Sequence, residues 1–273
     1  MDWDDAYSNS RHIPDAADYA AKWSARAAAF RAELAYDGRA RLDVSYGVGE
    51  RQRLDLFLPE GAPKRAPKGL LVFVHGGYWL TFDKSYWSDL ARGALARGWA
   101  AALPSYTLAP AAHIRDITCE IALAIGRAAA EVGGPLRLVG HSAGGHLVTR
   151  MISHTSPLTP AIAERVETVV SISGLHDLRP LLRTKMNERL RLDLDEAEAE
   201  SAALLRPAGA AKLVCWVGAC ELPEFLRQND LLANIWTGLG AQTLSVRAPG
   251  RHHFDVVDAL ADPASELAGL CAP

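Results

Sequence analysis

The sequence predicts an α/β fold, a mainly parallel central sheet with helices on both faces. Short apolar, β-branched runs such as Leu70–Val74 and Val166–Ile172 recur down the chain, with stretches of helical periodicity between them. Strands that alternate with helices run parallel, because each crossover helix carries the chain back before the next strand starts, and such a sheet is covered on both faces. The length, 273 residues with 49% hydrophobic side chains, suits one large domain with a sizeable core.

The elements follow in order. Asp15 to Leu34 is rich in Ala, with Trp23 and Phe30 set among polar residues, and predicts an amphipathic N-terminal helix. Leu42–Tyr46 and Arg53–Leu58 alternate apolar with polar residues around Gly47 and Gly49, the pattern of an antiparallel hairpin. Pro59 to Pro67 is a turn-rich loop. Beyond it we expect strand 70–74, helix 85–97, strand 99–103, helix 114–131, strand 136–140 and helix 144–154. Strand 166–172, helices within 177–206, strand 212–217, helix 223–238, strand 242–246 and a last helix 255–270 complete the pattern. No internal repeat or low-complexity linker interrupts it, so 1–273 reads as a single domain. Residues 178–205 are the least regular. Arg179, Arg183, Lys185, Arg189 and Arg191 are followed there by Asp193, Asp195, Glu196, Glu198 and Glu200. This is either a solvated helical pair or a small helical cap segment over a site.

Composition excludes several roles. Lys+Arg 29 against Asp+Glu 32 leaves a net charge of −3, with no electrostatic case for nucleic acid or an anionic membrane surface. No apolar run approaches the length needed to span a bilayer. The acidic start, Met1-Asp2-Trp3-Asp4-Asp5, lacks the order of a signal peptide. Cys119, Cys215, Cys220 and Cys271 are scattered, which implies neither a zinc site nor a disulfide framework and makes a reduced cytoplasm the expected setting. No His-Glu-x-x-His or carboxylate cluster is present, so no metal is expected. Oligomeric state is not fixed by the sequence; an exposed strand or helix would support a homodimer.

Two motifs carry chemistry. Gly140-His141-Ser142-Ala143-Gly144 matches Gly-x-Ser-x-Gly, a sharp strand-to-helix turn that exposes a nucleophilic serine. Its flanks fit: Leu136-Arg137-Leu138-Val139 as strand and His146 to Ile152 as helix. The bland reading is an ordinary glycine-rich turn. Earlier, Leu70–Val74 runs into His75-Gly76-Gly77-Tyr78-Trp79. Acyl transfer through a tetrahedral intermediate needs fixed N–H donors for the oxyanion. Ala143, Gly76 and Gly77 stand where such donors are expected. Tyr78, Trp79, Phe82, Tyr86 and Trp87 follow, and they either line an aromatic leaving-group pocket or pack the loop against the core.

A serine nucleophile needs a base, then an acid to orient it. His252 and His253 are the histidines after the last strand, and adjacent loop residues cannot both face the serine. Similarity to other chains in which His-Phe or His-x-Phe opens the last helix after such a serine turn favours His253, with His252 as the other option. The acid should follow the penultimate strand, where Glu221 is the first carboxylate. Glu224, after Pro223, suits a first helical turn instead. Asp177, one strand earlier, is the second candidate. His12, His113, His154 and His176 carry no motif, and His141 and His146 flank the turn.

Together these residues resemble the kynurenine formamidase (arylformamidase) branch of the α/β-hydrolases. The resemblance rests on His75-Gly76-Gly77-Tyr78-Trp79, Gly140 to His146, Ser173 to Leu181, Asn187 to Asp193, Pro223 to Gln228, His253-Phe254, and Tyr7-Ser8-Asn9-Ser10 with Ile13-Pro14-Asp15. It implies the α/β-hydrolase fold, a triad of Ser142, His253 and Glu221, and an oxyanion hole of Gly76, Gly77 and Ala143. From their place after the glycine loop, Tyr78 and Trp79 are expected to bind substrate, which is taken to be a small molecule, and no cofactor is expected. The family usually has Asp where this chain has Glu221. The expected activity is hydrolysis of an aryl formamide or small ester through an acyl-enzyme. The alternatives are a general carboxylesterase on short-chain acyl esters and a non-catalytic binding protein on the same fold.

Overall fold

The computed structural model describes residues 2–62 and 65–273. Eight strands make one sheet: β1 (Ala40–Ser45), β2 (Arg53–Phe57), β3 (Leu70–Val74), β4 (Ala100–Pro104), β5 (Leu136–His141), β6 (Val166–Ile172), β7 (Lys212–Gly218) and β8 (Thr243–Ala248). Their spatial order is β1-β2-β4-β3-β5-β6-β7-β8. The hairpin β1–β2 and the β2–β4 pairing are antiparallel, and every pairing from β4 to β8 is parallel.

Side-chain alternation explains how β3 serves two cores. Leu70, Val72 and Val74 face one layer with Ile114, Ile117, Ile121 and Leu147. Leu71 and Phe73 face the other with Trp23, Phe30, Trp87 and Leu267. A strand's side chains point alternately to the two faces, so a strand buried on both reads as an unbroken apolar run. Every residue of β3 and of β4 is buried. Each large side chain buried this way contributes roughly 1.5–3 kcal/mol against conformational entropy of similar total size.

Helix Ile114–Glu131 lies where expected, with Asp116 accepting the His113 N–H at its start. Helix Pro223–Gly238 also spans the expected residues, its proline placed where no N–H is needed. Three stretches differ. The N-terminal helix runs Tyr19–Tyr36, because Asp15 sits at φ 53° and Ala16–Asp18 is a 3-10 turn. Residues 85–97 form two 3-10 turns, Lys84–Tyr86 and Ser88–Ala91, before a short helix Arg92–Ala96. Trp87 leaves helical φ between them and buries its ring beside Trp23 and Phe73. The last helix is split into Asp258–Ala261 and Glu266–Cys271, with Pro263 in the gap and Ser265 capping the second piece.

Residues 178–205 form four short pieces, Arg179–Arg183, Asn187–Leu190, Leu194–Ala199 and Ala202–Leu204. They are bolted to the helix that follows β5. Buried Glu200 accepts from Arg150 Nε at 3.0 Å and Thr118 Oγ at 2.7 Å, and its carbonyl lies 2.8 Å from His146 Nε2. No described helix is long and apolar enough to cross a membrane.

The strand order fixes where a site can form. The chain steps from β3 outward to β4, then back across to β5 on the other side of β3. The loops leaving β3 and β5 therefore lie side by side at the carboxyl ends of the strands, where the order reverses.

Candidate active site

Ser142 stands at the end of β5 with φ 56° and ψ −117°, a left-handed backbone for a residue with a Cβ. Such strain costs of order 1–3 kcal/mol and persists only where the surroundings impose it. The flanking glycines show how. A Cβ on Gly140 would overlap the Gly144 carbonyl, and one on Gly144 would overlap that of Val74. The Ser142 N–H donates to Ile172 O at 2.8 Å, tying the turn to β6. Ala143 opens the helix Ala143–Arg150, so its N–H has no intrahelical partner.

The loop from β3 comes up against this turn because Val74 is in register with Gly140. A Cβ on Gly76 would lie 2.9 Å from His141 O and 3.0 Å from Ser142 Cβ, so the backbone of the loop touches the serine. Gly77 has φ 108°, a conformation that favours glycine. Among the described residues, the N–H groups of Gly76, Gly77 and Ala143 donate to no protein acceptor. Arg51 braces the far end of the loop by donating to the carbonyls of Tyr106 and Phe82.

His253 Nδ1 lies 2.6 Å from Glu221 Oε2. The other carboxylate oxygen accepts from Ser173 Oγ at 2.5 Å and from the Gly218 N–H at 2.8 Å. Residues 218–221 fold into a tight turn pinned to β8 and its loop, with Ala219 N donating to Ala248 O and Cys220 N to Arg251 O. That turn and the two hydrogen bonds to Oε1 fix the Glu221 carboxylate beside His253. With Nδ1–H donated to the carboxylate, Nε2 is the basic nitrogen. His253 and Ser142 both line a cavity of about 330 Å³. The Ser142 hydroxyl makes no protein hydrogen bond among the described residues.

The other candidates are engaged elsewhere. Asp177 holds Arg179 through both oxygens, at 2.9 and 3.1 Å, while its N–H and carbonyl are bound by Gln228. His252 Nε2 is 3.1 Å from Tyr19 Oη, and its N–H donates to Asp255. Glu224 accepts from Tyr7 Oη at 2.7 Å and from Arg227 and Gln228, whose hydrogen bonds hold it below the usual carboxylate range against the opposing effect of burial.

Four further histidines are buried and neutral. Burial pushes His75, stacked on Tyr106 at 4.3 Å, down to about 4. It pushes His146 and His176 to about 3. Burial first, then the neighbouring His253, holds His141 well below the usual imidazole range. His141 donates from Nε2 to the His253 carbonyl at 2.9 Å and so helps fix that loop.

Of the aromatic residues after the glycines, Tyr78, Phe82 and Trp87 line the cavity. Trp79, expected to bind substrate, is instead fully buried in the core with its ring edge-on to His146. Its φ of 58° turns the chain there and aims the indole away from the cavity. Tyr86 packs on Phe82 and does not line the cavity. Sequence reasoning missed the opposite wall. Asp4, Tyr7, Ser8, Asn9 and Ser10 line it, with Trp23, Met186 and Phe254. Tyr78 Oη donates to Tyr7 O at 2.5 Å and joins the two walls. The polar run Tyr7-Ser8-Asn9-Ser10 was the available signal, but nothing local places it over residue 142. Among the described residues, no group of three or more His, Cys, Asp or Glu could hold a metal.

Comparison with known proteins places this geometry among hydrolases. The family model BD-FAE matches residues 54–212. Kynurenine formamidase of Salmo salar is 26% identical over 230 residues, covering 81% of this chain and 77% of its own. The crystal structure of a candidate thioesterase from Silicibacter sp. tm1040 is 50% identical, with a TM-score of 0.93 and full coverage of both chains. Esterase 2 of Thermogutta terrifontis superposes with a TM-score of 0.68 at 19% identity, over 86% of this chain and 97% of that one, a likeness of fold.

Proposed function

The chain belongs to the BD-FAE family, and from that membership we propose that it is a serine hydrolase cleaving aryl formamides or small esters through an acyl-enzyme. The fold is that of the α/β-hydrolases, and the kinship with formamidases and esterases makes the protein a hydrolase. One observation carries the serine mechanism: Glu221 holds His253 by Nδ1 at 2.6 Å in the cavity wall that also presents Ser142.

In this reading Ser142 Oγ attacks the acyl carbon while His253 Nε2 takes its proton. Glu221 keeps the imidazole in the Nδ1–H tautomer and stabilises the imidazolium. The N–H groups of Gly76, Gly77 and Ala143 receive the oxyanion; an unpaired donor costs no reorganisation when charge develops. His253 then protonates the leaving amine or alcohol, and the acyl-enzyme remains. Water, deprotonated by the same nitrogen, attacks the acyl carbon and releases the acid with Ser142 restored. No cofactor enters these steps. We also infer that 1–273 acts as one domain, with 178–205 as its small helical cap segment. The free state of the four cysteines supports a cytoplasmic setting.

A second reading is a general carboxylesterase on short acyl chains, favoured by the esterase likeness; the thioesterase relative points to thioesters, which use the same atoms. Steady-state hydrolysis of N-formylkynurenine beside p-nitrophenyl acetate, p-nitrophenyl butyrate and a phenyl thioacetate separates them, with Ser142→Ala as control. A far higher kcat/KM for N-formylkynurenine, absent in the variant, supports the formamidase. Turnover of activated esters alone moves the assignment to carboxylesterase. Turnover of none sinks the hydrolase mechanism.

A further inference from the structure

The cavity beside Ser142 has an unequal distribution of charge. Six Phe, Tyr and Trp side chains contribute to its wall, Tyr7, Trp23, Tyr78, Phe82, Trp87 and Phe254. Four of them form one cluster: Trp23 meets Phe82 at 5.9 Å, Trp87 at 4.6 Å and Phe254 at 5.4 Å between ring centroids. Among the described residues no Lys or Arg lines the cavity, and Asp4 is the one carboxylate that does. Asp4 is fixed in place, since Oδ1 accepts the Lys185 N–H at 2.7 Å, yet it pairs with no cationic side chain among the described residues. Its neighbour Asp5, by contrast, is paired with Arg11 and His12.

Aromatic faces carry negative potential and attract ammonium groups, most strongly where water is displaced. A fixed carboxylate without a counter-ion adds to that field, and a wall with no cation offers nothing to an anionic substituent. We propose that this cavity receives the substrate's leaving group and selects an organic cation there, an aryl or alkyl ammonium, with Asp4 as the specificity-determining residue. The assignment to the leaving group rests on Ser142 being the nucleophile; the cation site itself does not.

The test separates the two. Binding is read by tryptophan fluorescence on the Ser142→Ala variant, with phenyltrimethylammonium and benzenesulfonate as probes, since Trp23 and Trp87 report on the cavity. We expect saturable binding of the cation, at least about ten-fold weaker binding of the anion, and loss of roughly five-fold in cation affinity in Asp4→Asn. Turnover is read on the unmutated protein with phenyl acetates bearing a para two-carbon arm that ends in trimethylammonium, tert-butyl or carboxylate. The arm insulates the ester from the charge. The expected order of kcat/KM is cation, neutral isostere, anion, and Asp4→Asn narrows the first gap. Equal binding of both probes, or a cation preference untouched by Asp4→Asn, overturns the proposal even if every ester is cleaved. Cation binding that weakens in Asp4→Asn, with no ester cleaved, leaves the site standing and sinks the hydrolase reading instead.

Discussion

Ser173 donates its hydroxyl to Glu221 Oε1 at 2.5 Å, on the opposite side of the carboxylate from His253. It does so from a left-handed backbone, φ 53°, with its own N–H bound to Trp216 O at the end of β7. Strain at Ser173 and a hydrogen bond to the acid therefore coexist in one residue. They can be separated. Ser173→Gly relieves the backbone and removes the hydroxyl; Ser173→Ala removes the hydroxyl alone. A hydrogen bond to a charged group contributes about 1.5–3 kcal/mol, so both variants should lose about ten-fold or more in kcat with KM little changed. The glycine variant should melt no lower than the alanine variant. Equal activity to the unmutated protein would remove Ser173 from the positioning of the acid.

The choice of acid gives a sharper test. Glu221→Gln replaces the acceptor with an amide that can present N–H to Nδ1 and favour the wrong tautomer, and a loss of roughly 10³–10⁴ in kcat is expected. Glu221→Asp shortens the reach by a methylene and takes the carboxylate away from its 2.6 Å contact with His253 Nδ1, so it should also be impaired, by about 10²-fold. Asp177→Asn keeps its backbone links to Gln228 and should change kcat by less than about two-fold. A dead Asp177→Asn with a folded spectrum would reverse the assignment.

The parts legible in the sequence were those set by local pattern. β3 is an apolar run because it serves two cores, and the Ser142 turn declares itself because Gly140 and Gly144 have no room for a Cβ. The choice between Glu221 and Asp177 was not legible. Both follow strands, and what separates them is Arg179 beside one and His253 beside the other. The alternating pattern predicts one helix over 85–97, and burial of Trp87 breaks it into shorter turns. The cavity wall from the N-terminal segment was least legible, since Tyr7 finds its partner Glu224 across 217 positions of sequence.

That wall supplies a third expectation. Tyr7 is buried between Phe225 and Glu224, and burial first, then the Glu224 charge, raises its phenol well above the usual range. Tyr7→Phe keeps the ring packing and takes one donor from Glu224, which retains Arg227 and Gln228. A cost of about 1 kcal/mol is expected, read as a drop in unfolding midpoint. Removing residues 2–10 takes away the N-terminal part of that wall and none of Ser142, His253 and Glu221. KM for an aryl substrate should then rise more than kcat falls. A truncated protein with unchanged KM would show that this segment does not touch the substrate.

The buried histidines set how stability responds to acid. His75, at about 4, and His146 and His176, at about 3, remain neutral in the fold at pH values where an unfolded chain protonates them near 6.5. Between those limits the unfolded state binds more protons, so unfolding free energy rises with pH. Their contribution is full above about pH 6.5 and is lost as pH falls toward 4 and then 3. Each protonation costs roughly 1.4 kcal/mol per pH unit in that window, so the three together should remove several kcal/mol between pH 7.5 and pH 5. Urea unfolding at the two pH values measures it. His176 faces Ser171 and Thr149, with no charged partner in hydrogen-bond contact among the described residues, so His176→Gln should flatten the dependence by close to one proton. A pH-independent midpoint from 7.5 to 5 would mean that these imidazoles are protonated in the fold.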